Sequence, residues 1–250
     1  NTGFTWHGAA ASDWNGDGWL DVFVTGPLRN WLYLNDGKGR FRDASEEAGI
    51  LAAASGVGPL GVDYDNDGDT DVFLATVGEQ ILLENRLVPD GKLAFVDVSQ
   101  EAGVAVSAIG FSAAAGDVNG DGRPDVYVAS YNRYGQVTPD VWFQATNGTP
   151  NLLFGSQPGG GYREEARKWG VDDRRWSYAA QFLDVDEDGR LDLYVVNDFG
   201  EKALYMRRGA RFVDEAQERG VVDAGRGMVV SLGDINNDGL LDLFVANDTV

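Results

Sequence analysis

Asp63-Tyr-Asp-Asn-Asp-Gly-Asp-Thr-Asp71 is the stretch that decides the fold. Carboxylates stand at its positions 1, 3, 5 and 9, and glycine at position 6 permits a sharp turn. The frame recurs as Asp13-Trp-Asn-Gly-Asp-Gly-Trp-Leu-Asp21, Asp117-Val-Asn-Gly-Asp-Gly-Arg-Pro-Asp125, Asp184-Val-Asp-Glu-Asp-Gly-Arg-Leu-Asp192 and Asp234-Ile-Asn-Asn-Asp-Gly-Leu-Leu-Asp242. The five starts lie 50, 54, 67 and 50 residues apart. A second landmark, glycine followed by Val or Ile at Gly49, Gly103, Gly170 and Gly220, precedes the next acidic segment by 14 residues each time. Self-similarity at a period of about 50 residues marks a repeat architecture.

Outward from the acidic segment, each unit reads as four short strands. A small-residue stretch precedes it, as in Gly8-Ala-Ala-Ala-Ser12 and Phe111-Ser-Ala-Ala-Ala-Gly116. Apolar runs follow it, Val22–Val24, Val72–Leu74, Val126–Val128, Leu193–Val195 and Leu243–Val245, rich in β-branched and aromatic residues. Third pieces lie at Trp31–Leu34, Ile81–Leu83, Leu152–Phe154 and Ala203–Tyr205, and fourth pieces around Phe41, Phe95, Tyr162 and Phe212. Four strands per repeat predict an all-β chain of β-propeller blades, with the small first strand innermost and the apolar second strand buried on both faces. The expected organisation is one propeller domain or fragment over 1–250, with repeats near 1–50, 51–104, 105–171, 172–221 and an incomplete 222–250. The repeat phase predicts that a longer chain or a partner completes the ring. The third unit is longer by 17 residues around Asn132 to Pro150, where Tyr131, Tyr134, Trp142 and Phe143 make an aromatic insertion. That insertion is either a contact surface or a loop packed over its own blade.

The spacing of the acidic frame wraps alternate side chains around one hard cation, with the position-7 carbonyl as a further ligand, meeting calcium's demand for six to eight oxygens. The candidate ligands are Asp13, Asn15, Asp17, Trp19 and Asp21; Asp63, Asp65, Asp67, Asp69 and Asp71; and Asp117, Asn119, Asp121, Arg123 and Asp125. Asp184, Asp186, Asp188, Arg190 and Asp192, then Asp234, Asn236, Asp238, Leu240 and Asp242, complete the set. Trp19, Asp69, Arg123, Arg190 and Leu240 enter through their carbonyls. Without an ion the clustered carboxylates repel one another, by about 4 kcal/mol per pair at 4 Å and an effective dielectric near 20. An isolated match reads equally well as a polar hairpin turn, whereas five in register with a glycine landmark do not. An EF-hand needs Glu at position 12, where this chain has Val24, Leu74, Val128, Val195 and Val245. Dockerin-like modules, which keep an acidic residue there, are disfavoured on the same ground.

Composition narrows the function classes. Forty Asp and Glu against 20 Lys and Arg leave a formal charge of −20, which repels phosphate backbones and anionic lipid surfaces. Five calcium ions would bring it to −10. No long apolar run suggests a membrane span. The absence of cysteine removes disulfides and thiolate chemistry, and the single histidine, His7, leaves zinc sites and most acid-base schemes without parts. No charged and apolar leader precedes the first repeat, so any secretion signal is expected to have been removed or never present.

The nine-residue loop followed by an apolar strand, repeated over the whole chain, resembles the FG-GAP and VCBS repeats of integrin-α-like β-propellers, most closely the cartilage-acidic-protein and UnbV-like branch. Gly26-Pro27 is a partial trace of the Gly-Ala-Pro signature. The resemblance implies a seven-bladed propeller, calcium between the first two strands of a blade, and adhesion or assembly outside the cytosol. The expected function is thus non-catalytic binding of a protein or glycan, outside the cell, at its surface or in a periplasm. The competing class is a calcium-dependent polysaccharide lyase or hydrolase. For that class Glu164, Glu165, Asp172, Asp173, Arg174 and Arg175 offer charge that reads better as solvated loop. His7 reads as structural beside the inner strand, and Trp142, Trp169 and Trp176 as core rather than sugar platforms. Asn147-Gly-Thr149 and Asn247-Asp-Thr249 match the glycosylation sequon.

Overall fold

The computed structural model describes residues 7–50, 56–133, 135–223 and 225–248. Each repeat folds as an antiparallel meander whose strands follow chain order. The first contributes β1 (Ala9–Ser12), β2 (Asp21–Val24), β3 (Trp31–Asn35) and β4 (Phe41–Asp43). The second contributes β5 (Gly56–Val62), β6 (Asp71–Glu79), β7 (Ile81–Asn85) and β8 (Phe95–Asp97). The third has β9 (Ser107–Gly116), β10 (Asp125–Ser130), β11 (Leu152–Ser156) and β12 (Tyr162–Glu164). The fourth has β13 (Ser177–Leu183), β14 (Asp192–Asn197), β15 (Ala203–Arg208) and β16 (Arg211–Asp214), and β17 (Gly227–Gly233) pairs β18 (Asp242–Asn247) beyond it. All the segments read as strands from sequence are strands. Two single-turn helices, α1 (Leu87–Asp90) and α2 (Ala166–Trp169), have no counterpart in that reading.

The chain forms two compact units, residues 1–113 with 155–164 and residues 114–154 with 165–250, and the division runs through the third repeat. In the first unit Trp14, Phe23, Leu32, Val72, Leu74 and Ile81 are buried in one cluster. In the second, Tyr127, Leu153, Trp169, Phe182, Leu193 and Phe212 form another. Burying each such side chain contributes roughly 1.5–3 kcal/mol. The second strands are sunk on both faces in the third and fourth repeats, where every residue of β10 and β14 is buried, but β2 alternates buried with half-buried residues and β18 has none buried, Phe244 standing exposed.

Three features lie outside the sequence reading. The first strands of the second, fourth and last repeats each carry a register shift near their start, at Gly56/Gly58, Ser177/Ala179 and Gly227/Val229. β6 overruns its blade, and Val77–Glu79 pair with Ser107–Ile109 of β9. A buried polar residue before the third strand reaches ahead to the next repeat. Gln80 accepts from the Thr76 amide (3.0 Å) and donates to the Val106 carbonyl (3.4 Å). Asn151 accepts from the Ser130 amide and donates to Ser177 Oγ, both at 2.7 Å. Lys202, fully buried, donates to the Gly225 carbonyl and pairs with Asp223 at 3.0 Å.

The glycine landmark has a local cause. Gly49, Gly103, Gly170 and Gly220 all adopt left-handed φ of 70–78° at the end of a turn, and the next residue's amide closes back on the turn, as Val104 does on the Ser99 carbonyl at 2.9 Å. The apolar side chain that follows is then driven inward, Ile50, Val104 and Val171 being buried. At Gly103 a Cβ would also lie 2.6 Å from the Tyr162 carbonyl oxygen. Gly103→Ala is expected to destabilise the protein by about 1–3 kcal/mol, from left-handed strain plus that clash. Urea unfolding with an unchanged midpoint would contradict this.

Candidate metal centres

The acidic loops link the first strand of a repeat to the second, and all five fold alike. Position 1 holds the turn by accepting two backbone amides: Asp63 Oδ1 and Oδ2 take the amides of Asp67 and Gly68, both at 3.1 Å, and Asp184 those of Asp188 and Gly189 at 3.1 and 2.8 Å. Asp13, Asp117 and Asp234 do the same. Position 5 accepts from the amide of position 7, from Trp19, Asp69, Arg123, Arg190 and Leu240 in turn. The turn needs left-handed backbone at position 6, as expected, and also at position 4, occupied by Gly16, Asn66, Gly120, Glu187 and Asn237. Four of these five are the residue types that tolerate this conformation best; Glu187 is the exception.

Position 9 does more than its place in a ligand list suggests. Asp21, Asp71, Asp125 and Asp192 are at most 1% exposed. One oxygen of each accepts the amide of position 2, from Trp14, Tyr64, Val118 and Val185 at 2.9–3.1 Å. In three repeats the other oxygen accepts an amide from the third strand, Asn35, Asn85 or Arg207, at 2.7–2.8 Å. The carboxylate therefore bolts loop, second strand and third strand together. Burial pushes the Asp71 carboxyl up to about 8 against these amide bonds, and raises Asp21 and Asp192 in the same direction. Burial followed by neighbouring carboxylates raises Asp65, while burial is the leading cause at Asp69 too.

Oxygens of Asp63, Asp65 and Asp71 lie within 4.8 Å of one another, as do those of Asp184, Asp186 and Asp192. Positions 1, 3 and 9 thus converge in both loops with four ligand-position carboxylates, while position 5, Asp67 and Asp188, stands outside those groups. In the loops with Asn at position 3, the amide nitrogen of Asn15, Asn119 or Asn236 donates to the position-5 carboxylate at 2.9–3.1 Å. The donor set is oxygen throughout and suits a hard cation rather than zinc. Asp69, in the second loop, is 7% exposed, and its Oδ1 has no hydrogen-bond partner among the described residues. Its Oδ2 accepts the Val88 amide at 2.8 Å, and a buried carboxylate oxygen such as Oδ1 calls for either a positive partner or a proton.

Of the residues considered for catalysis, Asp173, Arg175, Glu165 and His7 have structural partners. Asp173 and Arg175 are not solvated loop charge: Arg175 pairs with Asp173 at 2.9 Å and Asp214 at 3.0 Å, and the Tyr205 hydroxyl donates to Asp173 at 3.0 Å. Asp172 and Arg174 are exposed. Glu165 pairs with Lys168 at 2.7 Å and accepts from Trp169 Nε1 at 3.1 Å. His7 sits beside the start of β1, its Nδ1 3.2 Å from the Thr25 carbonyl.

The aromatic insertion divides. Tyr131 is buried with its ring edge-on to Trp176 at 4.9 Å, and Trp169 and Trp176 are core residues, whereas Trp142 and Phe143 are nearly half exposed. Tyr134 lies outside the described residues. Asn147 is locked at both ends of its amide, donating to the Thr138 carbonyl (2.9 Å) and accepting from Trp176 Nε1 (2.8 Å), so a glycan at this sequon would break the loop's own bonding. Asn247 donates to Asp223 at 2.7 Å, and Thr249 of its sequon is outside the described residues.

The FG-GAP-like repeat model matches residues 13–74, 63–128 and 184–245. Among solved structures, an Agrocybe aegerita lectin, described for its specific recognition of non-reducing terminal N-acetylglucosamine, is similar at 16% identity and a TM-score of 0.49. The match covers 96% of this chain and spans only 60% of the lectin chain. BBS1N in complex with ARL6DN, from a mercury-soaked crystal, is similar at 13% identity and a TM-score of 0.40, over 91% of this chain and 71% of that one. The lead-soaked form of that complex gives 13% and 0.37, over 97% and 80%. No curated protein matches the chain significantly.

Proposed function

Since the chain belongs to the FG-GAP-like repeat family, we propose that it is a non-catalytic β-propeller scaffold, stabilised by calcium and working outside the cytosol as a binding surface for a protein or glycan. The observation that carries this reading is the convergence of Asp63, Asp65 and Asp71 within 4.8 Å, in a loop frame that the chain repeats five times. Those residues would hold an ion in the second repeat, and the ion would supply the positive charge that the packed carboxylates lack. Extracellular calcium modules bind at about 10⁻⁴–10⁻³ M, which suits a compartment where calcium is plentiful. The closed network of Asp173, Arg175, Tyr205 and Asp214 supports the non-catalytic reading, because those groups are spent on one another. The exposed Val141, Trp142 and Phe143 are the contact surface this reading favours. Calorimetric titration of the chelator-stripped protein with calcium chloride is expected to show several sites, at most one per acidic loop. Heat with zinc alone, or none with either metal, would overturn the calcium assignment.

A further inference from the structure

The two loops with four ligand-position carboxylates are alike in sequence and unlike in surroundings. In the second repeat Asp63, Asp65, Asp67, Asp69 and Asp71 place five carboxylates in nine residues. Among the described residues no Lys or Arg forms an ion pair with any of them; the neighbouring Arg86 is spent on Glu84 and on Asp90 at 3.0 Å. Asp69, outside the converging group and held through Oδ2 by the Val88 amide at 2.8 Å, also lacks a cationic neighbour among the described residues.

In the fourth repeat three guanidinium groups already meet it. Arg190 Nε lies 3.0 Å from Asp188 Oδ2. Arg208 Nη1 and Arg219 Nη2 lie 3.3 and 3.4 Å from Asp186 Oδ2. Glu215 fixes two of these arginines in place, meeting the fork of Arg208 at 2.6 and 2.7 Å and Arg219 at 3.1 Å. Single exposed ion pairs count for little, but a shared, forked network orients its members before any ligand arrives. A divalent ion entering this loop would have to take Asp186 from two arginines and then sit beside their charges.

We propose that the fourth repeat's loop carries its counter-charge in Arg190, Arg208 and Arg219 and folds without calcium, whereas the second repeat's loop takes the tightest ion. This rests on the calcium reading above and ranks two sites whose positions 1, 3, 5 and 9 carry the same four carboxylates. The test is titration with calcium chloride, paired with melting curves with and without chelator, on the protein and three variants. Asp65→Asn is expected to weaken the tightest site about ten-fold or more and to shrink the chelator-induced fall in melting temperature. Arg208→Gln with Arg219→Gln should make the fourth loop calcium-responsive, adding one site to the isotherm and enlarging the chelator-induced fall beyond that of the parent protein. Asp186→Asn, which keeps the arginines, should change the calcium isotherm far less than Asp65→Asn. If Asp65→Asn and Asp186→Asn lose calcium binding equally, this inference fails while the calcium reading stands. If the parent protein binds no calcium, both fail. Should the double arginine variant not fold, the comparison of the two aspartate variants decides the matter.

Discussion

Asp71→Ala is expected to lower stability by about 2–6 kcal/mol, since it leaves two enclosed backbone amides without an acceptor at about 1–3 kcal/mol each. The carboxylate is 1% exposed, and its two oxygens accept from the amides of Tyr64 and Asn85 at 3.0 and 2.8 Å. Alanine leaves both amides enclosed without an acceptor and parts the loop from β7. Asn at this position rescues only one of them, because its second polar atom is a donor facing a donor. Asp67→Ala, at a more exposed position that accepts one amide from Asp69, should cost less. Glu46→Ala, at an exposed surface site, should cost within about 0.5 kcal/mol of nothing. Chemical unfolding of the three variants tests this order, and a mild effect at Asp71 would mean that the loop is not fastened through position 9.

In excess chelator the protein should lose stability as pH rises from about 5 to 8, and calcium should flatten or reverse that slope. The sign follows from the Asp71 carboxyl, whose folded pKa of about 8 lies above its ordinary value of 3.8. Between those values the folded state holds a proton that the unfolded chain has released, so each step upward in pH favours unfolding. Asp21, Asp65, Asp69 and Asp192 are shifted the same way, with burial the largest cause at each. A bound cation needs these groups ionised, so the stabilisation it gives grows with pH. A site with a dissociation constant of about 0.1 mM in about 1 mM calcium contributes roughly 1.4 kcal/mol. Several together produce a large fall in melting temperature on chelation at pH 8 and a smaller one at pH 5. Melting curves that are indifferent to chelator at both pH values would refute this.

The parts of the molecule legible in the sequence are those fixed over short spans. Residues 63–71 declare their turn because every partner of Asp63 and Asp67 lies within five positions. The apolar run from Val126 declares a buried strand, and Gly103 marks the repeat though its left-handed φ shows only in the structure. What depends on distant chain was not legible. Asp186 meets Arg208 and Arg219 across 22 and 33 residues, which makes two loops of equal carboxylate count electrostatically different. Asp173 and Arg175 read as solvent-facing charge, but Tyr205 and Asp214, 32 and 39 residues on, enclose them. The double hold of Asp71 was missed for a subtler reason. Its spacing satisfies a ligand pattern, and nothing in that pattern shows that its oxygens also serve the backbone.

Gln80, Asn151 and Lys202 have a bearing on how the chain folds in time. Each is buried at the head of its repeat's third strand, yet one of its partners arrives 23 to 26 residues later, at Val106, Ser177 or Gly225. Part of the interior hydrogen bonding of these three repeats is made with the successor, so their folding free energy is partly held in that junction. Nearest-neighbour coupling of this kind favours joint rather than piecemeal melting of adjacent repeats. During synthesis it leaves each repeat provisional until the first strand of the next has emerged.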